Sequence, residues 1–111
     1  MRKLVITLLL TLIVLTTALT PFALAADTAN GAEVFSVHCV GCHINGGNII
    51  RRGKNLKQKA LKRNGMDSLE AIASLVANGK NNMSAFKDRL SQQQIEDVSA
   101  YVLAQAANNW R

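Results

Sequence analysis

Residues 39 to 43 read Cys39-Val40-Gly41-Cys42-His43, and the fold turns on what this pentapeptide holds. Two cysteines three apart with a histidine directly after them suit four chemistries: a redox dithiol, half of a zinc site, a small disulfide loop, or the attachment point of a c-type haem. Cys39 and Cys42 are the 2 cysteines of the whole 111-residue chain, so no second pair completes a zinc site or a disulfide framework.

Working outward, Gly31, Phe35, Cys39 and Cys42 recur at i, i+4, i+8 and i+11, which predicts one continuous helical face from about 28 to 41 that ends in the motif. A dithiol oxidoreductase places its cysteines where a helix opens, inside a strand-helix alternation, because the helix dipole lowers the thiolate pKa. Here they close a helix, and no segment has a strand pattern. Zinc needs four tetrahedral ligands, whereas His38, Cys39, Cys42 and His43 crowd into one short stretch. Haem fits: side chains at i and i+3 are helical neighbours, so both thiols reach the vinyl groups along one porphyrin edge while His43 brings an imidazole to the iron.

The chain opens with Arg2 and Lys3, an apolar run from Leu4 to about Leu19, then Pro21 and Ala23-Leu24-Ala25. That order predicts a secretory signal peptide over 1–25, cut after Ala25, rather than an uncleaved anchor. The remaining 86 residues, 26–111, hold 11 basic against 7 acidic side chains and make a single domain. A chain that short buries only somewhat more than ~60 per cent of the surface its unfolded form exposes, so a large apolar cofactor would help it fold.

Downstream the periodicity is helical throughout. The glycines Gly46, Gly47 and Gly53 predict a loop. A short helix is expected from about Lys54 to Arg63, closed by Asn64-Gly65. A third runs from an Asp67 cap, with Glu70 three residues later, to Asn78-Gly79. The last helix has the best signal, a capping box of Ser91 with Gln94 and a staple from Leu90 to Ile95, and its inner face runs through Val98, Tyr101, Val102 and Gln105.

A second axial ligand has to come from far along the chain. His38 does not qualify, because five helical residues rotate it about 140° from His43; it reads as a partly exposed helix residue. Met66 and Met83 remain.

With these residues in hand, the chain resembles the cytochrome c6 family of class I c-type cytochromes, soluble carriers of oxygenic photosynthesis. The likeness runs through Asn30-Gly31-Ala32, Val34-Phe35-Ser36, the pentapeptide, Gly46-Gly47-Asn48, Gly65-Met66, Asn78-Gly79-Lys80-Asn81, Met83, Ala85-Phe86, Arg89-Leu90-Ser91, Ile95 to Val98, Tyr101 to Leu103 and Trp110. It implies an all-α class I cytochrome c fold, about four helices wrapped around one covalently bound haem. It also implies that Cys39 and Cys42 form the thioethers, that His43 and Met83 ligate the iron, and that Gly31, Phe35 and Tyr101 join the first and last helices. Met83 also lies in a long loop able to fold over the far haem face, whereas Met66 follows a tight turn and suits a core gap. Two departures stand out: the family usually has Met-Pro-Ala-Phe where this chain has Met83-Ser84-Ala85-Phe86, and Arg51-Arg52 replace residues that are commonly apolar and small.

Seven cations, Arg51, Arg52, Lys54, Lys57, Lys59, Lys62 and Arg63, fall within thirteen residues without an acid. Such a run is either a solvated face or a patch that steers encounter with an acidic surface. Nucleic acid is a poor partner for an exported chain with this motif. As a steering patch the run offers Arg51, Arg52, Lys54 and Lys57 as docking residues; the resemblance adds Arg89 and implies the cytochrome b6f complex and photosystem I as partners, with a terminal oxidase the other acceptor. A six-coordinate iron offers no open position to a substrate, so the expected role is a monomeric one-electron carrier in the thylakoid lumen or periplasm and not an enzyme. Its rivals are a class I carrier of a periplasmic respiratory chain, a haem sensor with a labile sixth ligand, and a haem-free disulfide-stabilised binding module.

Overall fold

The computed structural model describes residues 1–17 and 25–111. Pro21, Ala23 and Leu24 of the expected cleavage signal lie outside the described residues. Helix α1 (Arg2–Thr17) packs against no other described element. No helix among the described residues is long and apolar enough to cross a membrane.

The remainder is helical: α2 (Thr28–His38), a single turn α3 (Val40–His43), α4 (Gln58–Arg63), α5 (Leu69–Asn78) and α6 (Gln92–Ala107), with short 3-10 turns at Ile44–Gly46 and Arg52–Lys54. Among the described residues there is no strand, only an isolated bridge between Lys80 and Met83. The expected all-α class I cytochrome c architecture is what the chain adopts.

The frame is the crossing of α2 and α6. Gly31 permits it: a Cβ there would lie 2.1 Å from the Asp97 carbonyl oxygen and 2.8 Å from the Tyr101 Cβ. Any side chain at Gly31 would therefore have to push the helices apart. One turn later Phe35 stacks at a tilt on Tyr101, ring centroids 5.3 Å apart, so the three residues join the two helices as expected. Phe35, Ile72, Val76, Phe86, Ile95 and Val98 belong to one buried cluster, each buried side chain of this size contributing about 1.5–3 kcal/mol.

The capping box of α6 is present in both directions: Ser91 Oγ accepts from the Gln94 N–H, and Gln94 Oε1 accepts from the Ser91 N–H. Leu90 and Ile95 are both buried beside it. Three other helix ends differ from expectation. Helix α5 is capped by Ser68, whose Oγ accepts from the Ala71 N–H at 3.2 Å, and not by Asp67; the helix starts one residue later, and its Ncap carries the extended φ/ψ of -132° and 154°. The helix expected over 54–63 is interrupted at Asn55, whose Oδ1 accepts from the Lys57 N–H while its Nδ2 donates to the Arg52 carbonyl. That local turn competes with helix hydrogen bonding. Finally, the face expected to run unbroken from Gly31 to Cys42 breaks at Cys39, where φ is -120° and ψ -35°, so the motif straddles two helices instead of closing one.

Candidate functional site

The core borders a half-open cavity of about 660 Å³, within the usual range for cofactor pockets, ~300–1,000 Å³. Its apolar wall is built by Phe35, Leu61, Ile72, Val76, Val98 and Val102, and Cys39, Cys42 and His43 open into it. Met66 and Met83 line it too, so the fold gathers both candidate sulfur ligands and the motif around one space.

Because α2 stops at Cys39, the motif is a tight turn in which the Cys42 and His43 N–H groups both donate to the Cys39 carbonyl, at 3.2 and 3.0 Å. Cys39 is half-buried against the core, and Cys42 is exposed. The break also removes one sequence argument, since Cys39 now precedes a helical turn, as a reactive dithiol would. Burial supplies a stronger one: desolvation pushes the Cys39 thiol up to about 11, the opposite of an activated thiolate. Among the described residues no three His, Cys, Asp or Glu side chains converge in the way zinc requires.

His43 is the most tightly held member. Its Nδ1 donates to the Gly47 carbonyl at 2.8 Å, since an oxygen there can only accept, and this leaves the Nε2 lone pair free to coordinate. Gly47 in turn donates its N–H to the Ile44 carbonyl at 2.9 Å. The glycine loop was foreseen, but its role as the acceptor for His43 was not, because a backbone carbonyl has no signature in the side-chain sequence. His38 lies across the break, so the helical rotation invoked against it does not apply. It is exposed and meets the Phe86 ring edge-on at 5.9 Å.

Met83 sits in a tight turn: the Lys80 N–H donates to the Met83 carbonyl and the Met83 N–H to the Lys80 carbonyl, both at 3.0 Å. Gly79, at φ +69°, lets this loop fold back closely, since a Cβ there would meet the Met83 carbonyl oxygen at 2.6 Å. The Phe86 N–H then ties the loop to the Val76 carbonyl at 2.9 Å. Met66 is half-buried and packs against the core.

The cationic residues divide. Arg51, Lys54 and Arg89 line the cavity, while Arg52 and Lys57 line a shallow depression beside it with Ile44 and Ile49. The Lys54 ammonium donates to Asn64 Oδ1 at 2.9 Å, and the Arg89 guanidinium lies 4.2 Å from the Phe86 ring centroid.

Residues 26–102 match the family described as cytochrome C oxidase, cbb3-type, subunit III. Over 111 residues, all of both chains, the sequence is 63% identical to a cytochrome c6-like protein of Nostoc sp. (strain PCC 7120 / SAG 25.82 / UTEX 2576). It is 48% identical to a cytochrome c6 of the same strain, again over all of both chains. The chain belongs to the cytochrome c6 family. The solved structure of cytochrome c6C from Synechococcus sp. PCC 7002 superposes with a TM-score of 0.70 at 58% identity, covering 71% of this chain and 96% of that one. As a c-type cytochrome the chain carries one covalently bound haem c and serves as an electron carrier. Its own residues suit such a group, with an apolar cavity, two unjoined thiols, and an imidazole whose free nitrogen is fixed by its partner.

Proposed function

We propose that Cys39 and Cys42 form the two thioethers, that His43 and Met83 are the axial iron ligands, and that the protein carries one electron between membrane complexes. The observation that carries this reading is the His43 Nδ1 to Gly47 carbonyl bond at 2.8 Å, which presets the ring for coordination from Nε2. Met83 is the better sulfur ligand because its backbone is pinned on both sides while the surrounding loop stays free of helix. The bound group supplies a reversible ferric/ferrous couple, which a thioether ligand shifts toward ferrous. The chain excludes water with Leu61, Ile72, Val76 and Val98 and offers no open position to a substrate.

Residues 1–25 act as a signal peptide cut after Ala25, delivering the chain to the thylakoid lumen or periplasm. Electrons come from the cytochrome b6f complex and go to photosystem I. Arg51, Lys54 and Arg89 at the cavity, with Arg52 and Lys57 beside them, steer acidic partners toward it. A second reading has a terminal oxidase or other acceptor in place of photosystem I. It is supported by the match of residues 26–102 to the family described as cytochrome C oxidase, cbb3-type, subunit III.

A redox titration of the purified protein with visible spectra tests the carrier role, and acid-acetone extraction tests the attachment. Colour should survive extraction in the wild type and be lost when Cys39→Ala and Cys42→Ala are combined. Haem extracted freely from the wild type defeats the proposal.

A further inference from the structure

We infer that Trp110 is a positioning residue for His43, setting how firmly the Gly47 carbonyl holds the imidazole and so how strongly that imidazole donates to iron. The inference rests on His43 being an axial ligand.

Trp110 is the penultimate residue, yet it is not a frayed end. Its indole Nε1–H donates to the Leu56 carbonyl at 2.9 Å, and its backbone N–H donates to the Gln105 carbonyl at 2.8 Å. The ring stacks at a tilt on Phe35, centroids 5.2 Å apart, and edge-on to Tyr101 at 6.0 Å. To reach this place the chain takes positive φ at two successive residues with side chains, 55° at Asn109 and 57° at Trp110. A bulky residue adopts that conformation only where its surroundings hold it there.

What the strained turn achieves is a lid on the loop behind His43. The indole lies directly on Gly46: a Cβ at that position would come within 2.5 Å of three of its ring atoms. Gly46 is buried, has a φ of +73°, and its carbonyl accepts from the Leu56 N–H at 2.8 Å. Leu56 thus donates to Gly46 and accepts from Trp110, so one residue locks the loop to the indole. The next residue, Gly47, supplies the carbonyl that His43 Nδ1 uses. With Gly46 covered on one face and hydrogen-bonded on another, the Gly47 carbonyl has little freedom to tilt away from the ring.

The partner of a ligating imidazole fixes its orientation and raises its basicity. A firm Nδ1–H bond makes Nε2 a stronger donor, which favours ferric iron and lowers the reduction potential. Loosening the clamp therefore raises the potential.

The test uses the haem-loaded protein with three variants. Trp110→Ala removes ring and donor, Trp110→Phe keeps a ring over Gly46 but not the bond to Leu56, and Asp97→Asn loosens α2 against α6 away from this loop. The midpoint potential is read together with hydrogen exchange of the His43 Nδ1–H in the reduced, nitrogen-15-labelled protein. In Trp110→Ala the potential should rise and the proton should exchange faster, with Trp110→Phe between it and the wild type; if the alanine variant does not fold, Trp110→Phe decides alone. Asp97→Asn should lower the melting temperature and move neither reading. A Trp110 variant that only melts earlier, with potential and exchange unchanged, overturns the clamp. A wild-type His43 ring without metal-shifted resonances in the oxidised protein overturns the ligand assignment instead.

Discussion

Among the described residues Asp97 is the one carboxylate sealed in the core, 2 % exposed, and its removal should be costly in a way that depends on pH. It accepts from the Asp27 N–H at 2.8 Å, Asn30 Nδ2 at 2.7 Å and Gln93 Nε2 at 2.8 Å, tying the start of α2 to α6. Burial alone would raise its pKa; these three donors outweigh burial and hold it below the usual carboxylate value. In Asp97→Asn the volume is kept, but one accepting oxygen becomes a donor facing donors. Asn30 and Gln93 are half-exposed and can turn to water, so one charge-assisted bond is the net loss, about 2 kcal/mol. For a domain of this size that is a melting temperature lower by roughly 8–16 °C. Because the folded pKa is depressed, the stabilisation is complete above the unfolded value of ~3.9 and is lost as pH falls through the folded value. Thermal unfolding of both proteins from pH 7 to pH 3 should show a constant gap down to about pH 5 that narrows below about pH 4. Equal melting at pH 7, or a gap that persists unchanged into acid, refutes the reasoning.

The ferric protein should show the weak long-wavelength sulfur-to-iron band, lost in Met83→Ala and retained in Met66→Leu; the reverse pattern reassigns the ligand. Ser84 is exposed and its N–H makes no hydrogen bond among the described residues, so Ser84→Pro sacrifices no donor there and should stabilise the loop by about 0.4–1 kcal/mol. Slower displacement of Met83 by added imidazole would show this, and an unchanged rate would mean that the Lys80 to Met83 turn already supplies the rigidity. Reduction of an acidic acceptor should slow as salt shortens the Debye length below ~8 Å, and Arg51→Gln with Arg52→Gln should flatten that response. Rates indifferent to both changes leave the basic run as a solvated face.

How far the helices could be read in advance depended on how local their signals are. The α6 capping box needs only Ser91 and Gln94 three residues apart, and it formed as written. At α5 two adjacent residues, Asp67 and Ser68, both qualify as caps, and the helix that buries Ile72 and Val76 takes Ser68. Asn55 competes with the helix through its own neighbours, a contest that hydrophobic periodicity does not register. The break at Cys39 is hidden for a related reason: Gly31, Phe35, Cys39 and Cys42 share a helical spacing, and spacing does not register the non-helical backbone at Cys39 between α2 and α3.

At the site, chemistry was legible wherever it resides in side-chain type. Thiols, imidazole and thioethers announce themselves by element, and their spacing named the cofactor before any fold was in view. What tunes them resides in the backbone. The Gly47 carbonyl acts on His43 through an oxygen that every residue has, and Gly46 and Gly79 act through the side chains they lack, which lets an indole or the Met83 loop come within van der Waals reach. Such roles appear only when distant segments meet, as when residue 110 closes over residue 46. A sequence therefore shows which atoms bind a metal sooner than it shows how strongly they bind. The properties that distinguish one carrier from another, its potential and the lability of its ligands, follow from contacts of the second kind.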